Sequence, residues 1–160
     1  MAYSSDGLTW TSVTTDAFNY KDSVDGKTYQ CYIDAITYGG DKFVAAGSYD
    51  GNKIKLAYSS DGLTWTPVTS NAFNYVSYGN TRQWNNNIIA YGNGKFVAGG
   101  ETCRMATSTN GSTWTSVTTN VFNSEDQQWG KITAIAYGNN KFVAASGDLS
   151  EPKIVYSSDN

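Results

Sequence analysis

Residues 57–65 read Ala-Tyr-Ser-Ser-Asp-Gly-Leu-Thr-Trp, and the same letters stand at residues 2–10. A third copy, Ala106-Thr-Ser-Thr-Asn-Gly-Ser-Thr-Trp114, and a truncated fourth, Val155-Tyr-Ser-Ser-Asp-Asn160, follow at spacings of 55, 49 and 49 residues between starts. A second motif alternates with the first: Tyr38-Gly-Gly-Asp-Lys-Phe-Val-Ala-Ala-Gly47, Tyr91-Gly-Asn-Gly-Lys-Phe-Val-Ala-Gly-Gly100 and Tyr137-Gly-Asn-Asn-Lys-Phe-Val-Ala-Ala145. A fixed period of this length marks a chain built from one supersecondary unit used several times, each unit burying its apolar face against the next.

Each unit reads as four short strands. Ile33 to Tyr38, with Ile88 to Tyr91 and Ile132 to Tyr137, is β-rich and ends at a Gly/Asn turn, giving strand A. Lys-Phe-Val-Ala-Ala is apolar after its Lys and reads as strand B, buried on both faces. Strand C is Lys53 to Tyr58 and its counterparts; strand D is Leu63 to Val68. The Asp-Gly or Asn-Gly step between C and D predicts a two-residue hairpin with positive φ at both central positions. Four antiparallel strands in about 50 residues form one blade of a β-propeller, so the fold class is all-β with three blades in the chain. Their spans are 33–69, 88–118 and 132–159, preceded by a lone strand D at 8–14.

The Ser-x-Asp-Gly-x-Thr-Trp string resembles the Asp-box, or BNR repeat, of sialidase-like and sortilin-like propellers. That resemblance implies a structural loop in which Ser and Asp side chains hold backbone, Gly takes positive φ, and Trp packs on the blade. The roles fall on Ser4, Asp6, Gly7, Thr9 and Trp10; on Ser59, Asp61, Gly62, Thr64 and Trp65; and on Ser108, Asn110, Gly111, Thr113 and Trp114. The family motif has one more residue between Asp and Gly, so these turns are expected to be tighter.

Composition narrows function by exclusion. A net charge of −3, pI near 4.7, and only Arg82 and Arg104 as arginines provide no basic footprint for nucleic acid or anionic membrane. No apolar run is long enough to span a bilayer and no export leader is visible, so a soluble chain is expected, with its compartment open. There is no His, and Cys31 and Cys103 have no C-x-x-C spacing, so no metal, no cofactor and no disulfide between them are expected.

A sialidase resemblance implies an arginine triad, which two arginines cannot supply, and the acids are scattered through variable loops. The expectation is therefore no enzyme. Aromatic and amide groups collect in the loops of one face, where Tyr32, Gln83, Trp84, Glu101, Arg104, Asp126, Gln128 and Trp129 form the candidate site for carbohydrate. The competing reading of Trp84 and Trp129 is packing between blades or in the channel.

The third blade lacks a strand D while the first strand D lacks a blade. Three blades fall short of the usual four to eight, so the expected partner is a second copy of the chain, two chains closing a six-bladed homodimer. A nine-bladed trimer is the alternative. Residues 2–6 and 155–159 repeat the same strand C, and the expectation is that residues 1–5 are displaced.

Overall fold

The computed structural model of the chain describes residues 1–49, 53–119, 121–122, 130–147 and 152–157. Among them the fold is all-β, with no α-helix and one short 3-10 turn, Asn71–Phe73. β1 (Ala2–Tyr3) and β2 (Thr11–Ser12) pair as a hairpin, as do β3 (Asn19–Lys21) and β4 (Thr28–Gln30). The first four-stranded sheet is β5 (Tyr32–Gly39), β6 (Lys42–Tyr49), β7 (Lys53–Ser59) and β8 (Thr66–Val68), hydrogen-bonded in chain order. A further hairpin, β9 (Asn74–Ser77) and β10 (Asn80–Gln83), leads to the second sheet: β11 (Asn86–Gly92), β12 (Lys95–Gly100), β13 (Met105–Ser108) and β14 (Thr115–Val117). The third sheet has only three strands, β15 (Lys131–Gly138), β16 (Lys141–Gly147) and β17 (Ile154–Tyr156).

The order A, B, C, D read from the repeats is thus the ladder order in both four-stranded sheets, and the third sheet has the order A, B, C among the described residues. Each A strand carries a bulge at the same place, between Ile33 and Ala35, Asn86 and Ile88, and Ile132 and Ala134. A bulge kept in three copies is a designed bend of the strand. The sheets stack through their first strands: β11 packs on β5 and β6, and β15 on β11 and β12.

The hairpin expectation holds at a different turn from the one foreseen. Between A and B, Gly40 and Asp41 have φ of 53° and 58°, Asn93 and Gly94 45° and 70°, and Asn139 and Asn140 48° and 57°. These are two-residue turns with both central residues left-handed, matched to strand twist. Between C and D only the glycines are left-handed, at 74° each, and six residues separate β7 from β8. Strand D consequently starts at Thr66 and not at Leu63, because Asp61 draws the backbone of Leu63 and Thr64 into the loop.

In the single chain Ala2 and Tyr3 pair with Ser12 and Thr11 and Val13 N–H donates to Met1 O at 2.8 Å, a pairing that does not bear on the displacement of residues 1–5 expected in the dimer. The segments that hold β3–β4 and β9–β10, expected as loops of one face, form hairpins instead. Asn, Gly, Lys and Asp in these segments mask the alternation, and Tyr78-Gly79 makes a two-residue turn with φ of 49° and 75°.

The core is three clusters, one under each sheet. Phe18, Cys31 and Trp65 anchor the first, Phe73, Trp84, Phe96 and Trp114 the second, and Phe122, Ile132 and Ile135 the third. Each complete cluster joins an aromatic from the segment before strand A to the Trp that starts strand D: Phe18 to Trp65 at 6.0 Å and Phe73 to Trp114 at 5.5 Å between ring centroids.

Candidate assembly surface

The Ser-x-Asp-Gly loops are built the same way three times. Ser59 Oγ accepts from the Asp61 and Gly62 N–H groups, and Asp61 Oδ1 accepts from Leu63 and Thr64 N–H at 2.8 and 2.7 Å. Trp65 Nε1–H donates to Gly62 O at 3.0 Å, which fixes the ring over the loop. Ser4, Asp6, Gly7 and Trp10 repeat this network, and Ser108, Asn110, Gly111 and Trp114 repeat it with an amide oxygen in place of a carboxylate. The Thr64 and Leu63 amides, then the Ser59 hydroxyl, hold the Asp61 carboxyl down at about 2, and Thr9, Leu8 and Ser4 do the same for Asp6. Thr9, Thr64 and Thr113 thus serve through their backbone N–H.

With identical loops, the burial of the three tryptophans differs only by surroundings. Trp65 and Trp114 are 8% and 6% exposed, whereas Trp10 is 63% exposed. The implied packing of Trp10 on a blade therefore fails within one chain. No sheet stands behind β2 to receive it. Conversely, the third cluster has its aromatic, Phe122, at 2% exposure, but no strand D and no tryptophan among the described residues.

The free faces at the two ends of the stack carry the matching apolar positions. Ile36 on β5 is 56% exposed while its counterparts Ile89 and Ile135 are 5% and 9%. On the opposite face, Val143 of β16 is 40% exposed while Val44 and Val97 are 0% and 5%. Beside the N-terminal hairpin a cavity of about 390 Å³ opens, lined by Met1, Val13, Phe18, Gln30, Cys31 and Ile33 among others. Cys31 stands where Trp84 stands in the next unit: Cys31 N–H donates to Phe18 O and Trp84 N–H to Phe73 O. The small thiol leaves part of this space empty.

The carbohydrate residues are not brought together as expected. Trp84 is 1% exposed, 5.2 Å from the Phe73 ring, so it offers no ring face to a ligand; packing is its role. The signal was the repeated Ala-Phe-Asn before each hairpin, whose Phe needs a buried partner. Gln83 ends β10, half-buried. Glu101 N–H donates to Asn85 O at 3.0 Å in the turn after β12, and Arg104, at the end of that turn, lies 4.9 Å over the Tyr75 ring. Tyr32 is 75% exposed at the start of β5, in a different sheet. Asp126, Gln128 and Trp129 lie outside the described residues.

No disulfide joins Cys31 to Cys103, which belong to different clusters, and burial pushes both thiols up. Among the described residues no group of three His, Cys, Asp or Glu stands ready to hold a metal, and no helix is long and apolar enough to cross a membrane. Comparison of the chain with protein-family models, with curated proteins and with solved structures gave no match.

Proposed function

We propose that the chain is a non-enzymatic, self-assembling half of an Asp-box β-propeller, in which two copies close one six-bladed ring. The observation that carries this reading is Trp10, 63% exposed in a loop whose two other copies bury the same ring. In the assembly β2 is the fourth strand of the third sheet of a second copy, and Trp10 meets Phe122 there as Trp65 meets Phe18 and Trp114 meets Phe73. Burying an indole of this size contributes about 2–3 kcal/mol at each junction.

The exchange is supported by how little holds β2 at home. It has two ladder pairs to β1 and one flanking bond, Val13 N–H to Met1 O, whereas β17 has three pairs to β16 and flanking bonds at both ends, Ser146 N–H to Lys153 O and Ser157 N–H to Phe142 O. β17 therefore keeps the strand C position and β1 gives up β2 on assembly. A carbohydrate contact on this chain would rest on Tyr32, Glu101 and Arg104 without Trp84, and no observation favours it as a separate role. Deleting residues 1–14 tests the reading by light scattering: the truncated chain is expected to lose the assembly that the full chain forms. Full retention of it would mean that strand exchange does not join the chains.

A further inference from the structure

We propose that the chains also meet sheet to sheet, the third sheet of one copy stacking on the first sheet of the next so that Tyr38 sits over Gly138. This joint rests on the assembly proposed above, but it uses residues outside the exchanged strand and is carried by a separate observation. Inside the chain the joint already exists twice. A Cβ added to Gly39 would overlap the Tyr91 ring, and one added to Gly92 would overlap the Tyr137 ring, so each A strand ends on a glycine that lets the next sheet's tyrosine lie flat against backbone. Gly39 and Gly92 are buried.

The third pair is split between the ends of the molecule. Gly138 ends its A strand in the same way, yet is exposed and has nothing within 4 Å of the Cβ position, and Tyr38, the tyrosine without a preceding sheet, is 55% exposed. One free half has the missing shape of the other. At the two internal copies of this position glycine is required because a ring covers it, and Gly138 keeps the same shape with no ring over it.

Two further contacts of the internal joint have the same loose ends. Val44 Cγ2 lies 2.8 Å from the Cβ position of Gly111, and Lys42 Nζ donates to Asn110 O at 3.1 Å, both from the first sheet to the loop of the second. By repeat position, Val143 and Lys141 of one copy face Gly62 and the carbonyl of Asp61 in the next. Val143 is 40% exposed and Lys141 is exposed. Because this joint is between the two faces of one chain type, it needs no other partner, and it covers Ile36, 56% exposed in the single chain, as well.

The test is Gly138→Leu, measured by sedimentation beside the wild type and beside Tyr38→Ala. The open space at Gly138 lets leucine fold into the single chain, so the far-UV spectrum is expected to match the wild type. Association is expected to weaken roughly tenfold or more in both variants, since one overfills the joint and the other empties it. An assembled wild type with both variants equally assembled would overturn the joint and leave strand exchange standing. A wild type that stays monomeric at tens of micromolar would overturn both.

Discussion

Asp6, Asp61 and Asn110 each accept two backbone N–H groups with a single side-chain oxygen, replacing the carbonyl that a tight hairpin would have supplied. This is the side-chain mimicry of a turn that makes Asp and Asn compete with regular strand, and it explains why the Asp-Gly dipeptide did not form the hairpin it suggested. Asn110 shows that the loop geometry forms without the charge. Asp61→Asn is thus expected to lower the melting temperature at neutral pH less than Asp61→Ala does. The carboxyls of Asp6 and Asp61 sit at about 2 in the folded chain against an ordinary 3.8. The folded state therefore binds fewer protons, so the stability they contribute is full above the unfolded value and is lost as pH falls from about 4 towards about 2. A thermal-melt series across that range checks it, and Asp61→Asn should flatten its slope. Strain is found at Thr102 and Cys103, with φ of 56° and 51° in the turn closed by Arg104 N–H to Glu101 O. A β-branched residue there costs on the order of 1 kcal/mol. Thr102→Gly removes this strain together with the 2.6 Å bond from Thr102 Oγ1 to Glu101 O, and a thermal melt is expected to show a raised melting temperature.

At the scale of elements, the repeats made the strands of the three main sheets legible, because identical segments with period-2 patterning must pair alike. The A–B turn chemistry was visible in Gly-Asp, Asn-Gly and Asn-Asn. What stayed hidden were β3–β4 and β9–β10, which differ in sequence from each other and pack mainly through one aromatic side. Tyr29 lies 4.8 Å from Tyr49, and Arg104 covers Tyr75. Trp84 was ambiguous for a similar reason, since a Trp flanked by Gln and Asn reads as a ligand platform until Phe73 and Trp114 are seen around it. Two substitutions separate these cases. Trp84→Ala empties the second cluster and is expected to cost about 3–5 kcal/mol in chemical unfolding, whatever the state of association. Trp10→Ala should leave the monomer's unfolding midpoint almost unchanged and weaken association, the opposite pattern.

For the whole molecule, the described residues give the last sheet three strands and set β1–β2 apart from the other sheets. The faces that flank the gap were not legible, because the same Ile, Tyr, Gly and Val recur in every copy and only burial distinguishes the end copies from the middle one. An open stack leaves Tyr38, Ile36, Trp10 and Val143 in water, together with free strand edges, a combination that natural folds cover. The proposed head-to-tail closure would cover all of them at once, and a rotation that closes after two copies gives a finite ring. The measurement that bears most directly on this account is the mass of the full-length chain by light scattering at tens of micromolar. A mass of twice the 17.4 kDa chain is the predicted result, a threefold mass would replace six blades by nine, and a mass equal to that of the single chain would contradict the account.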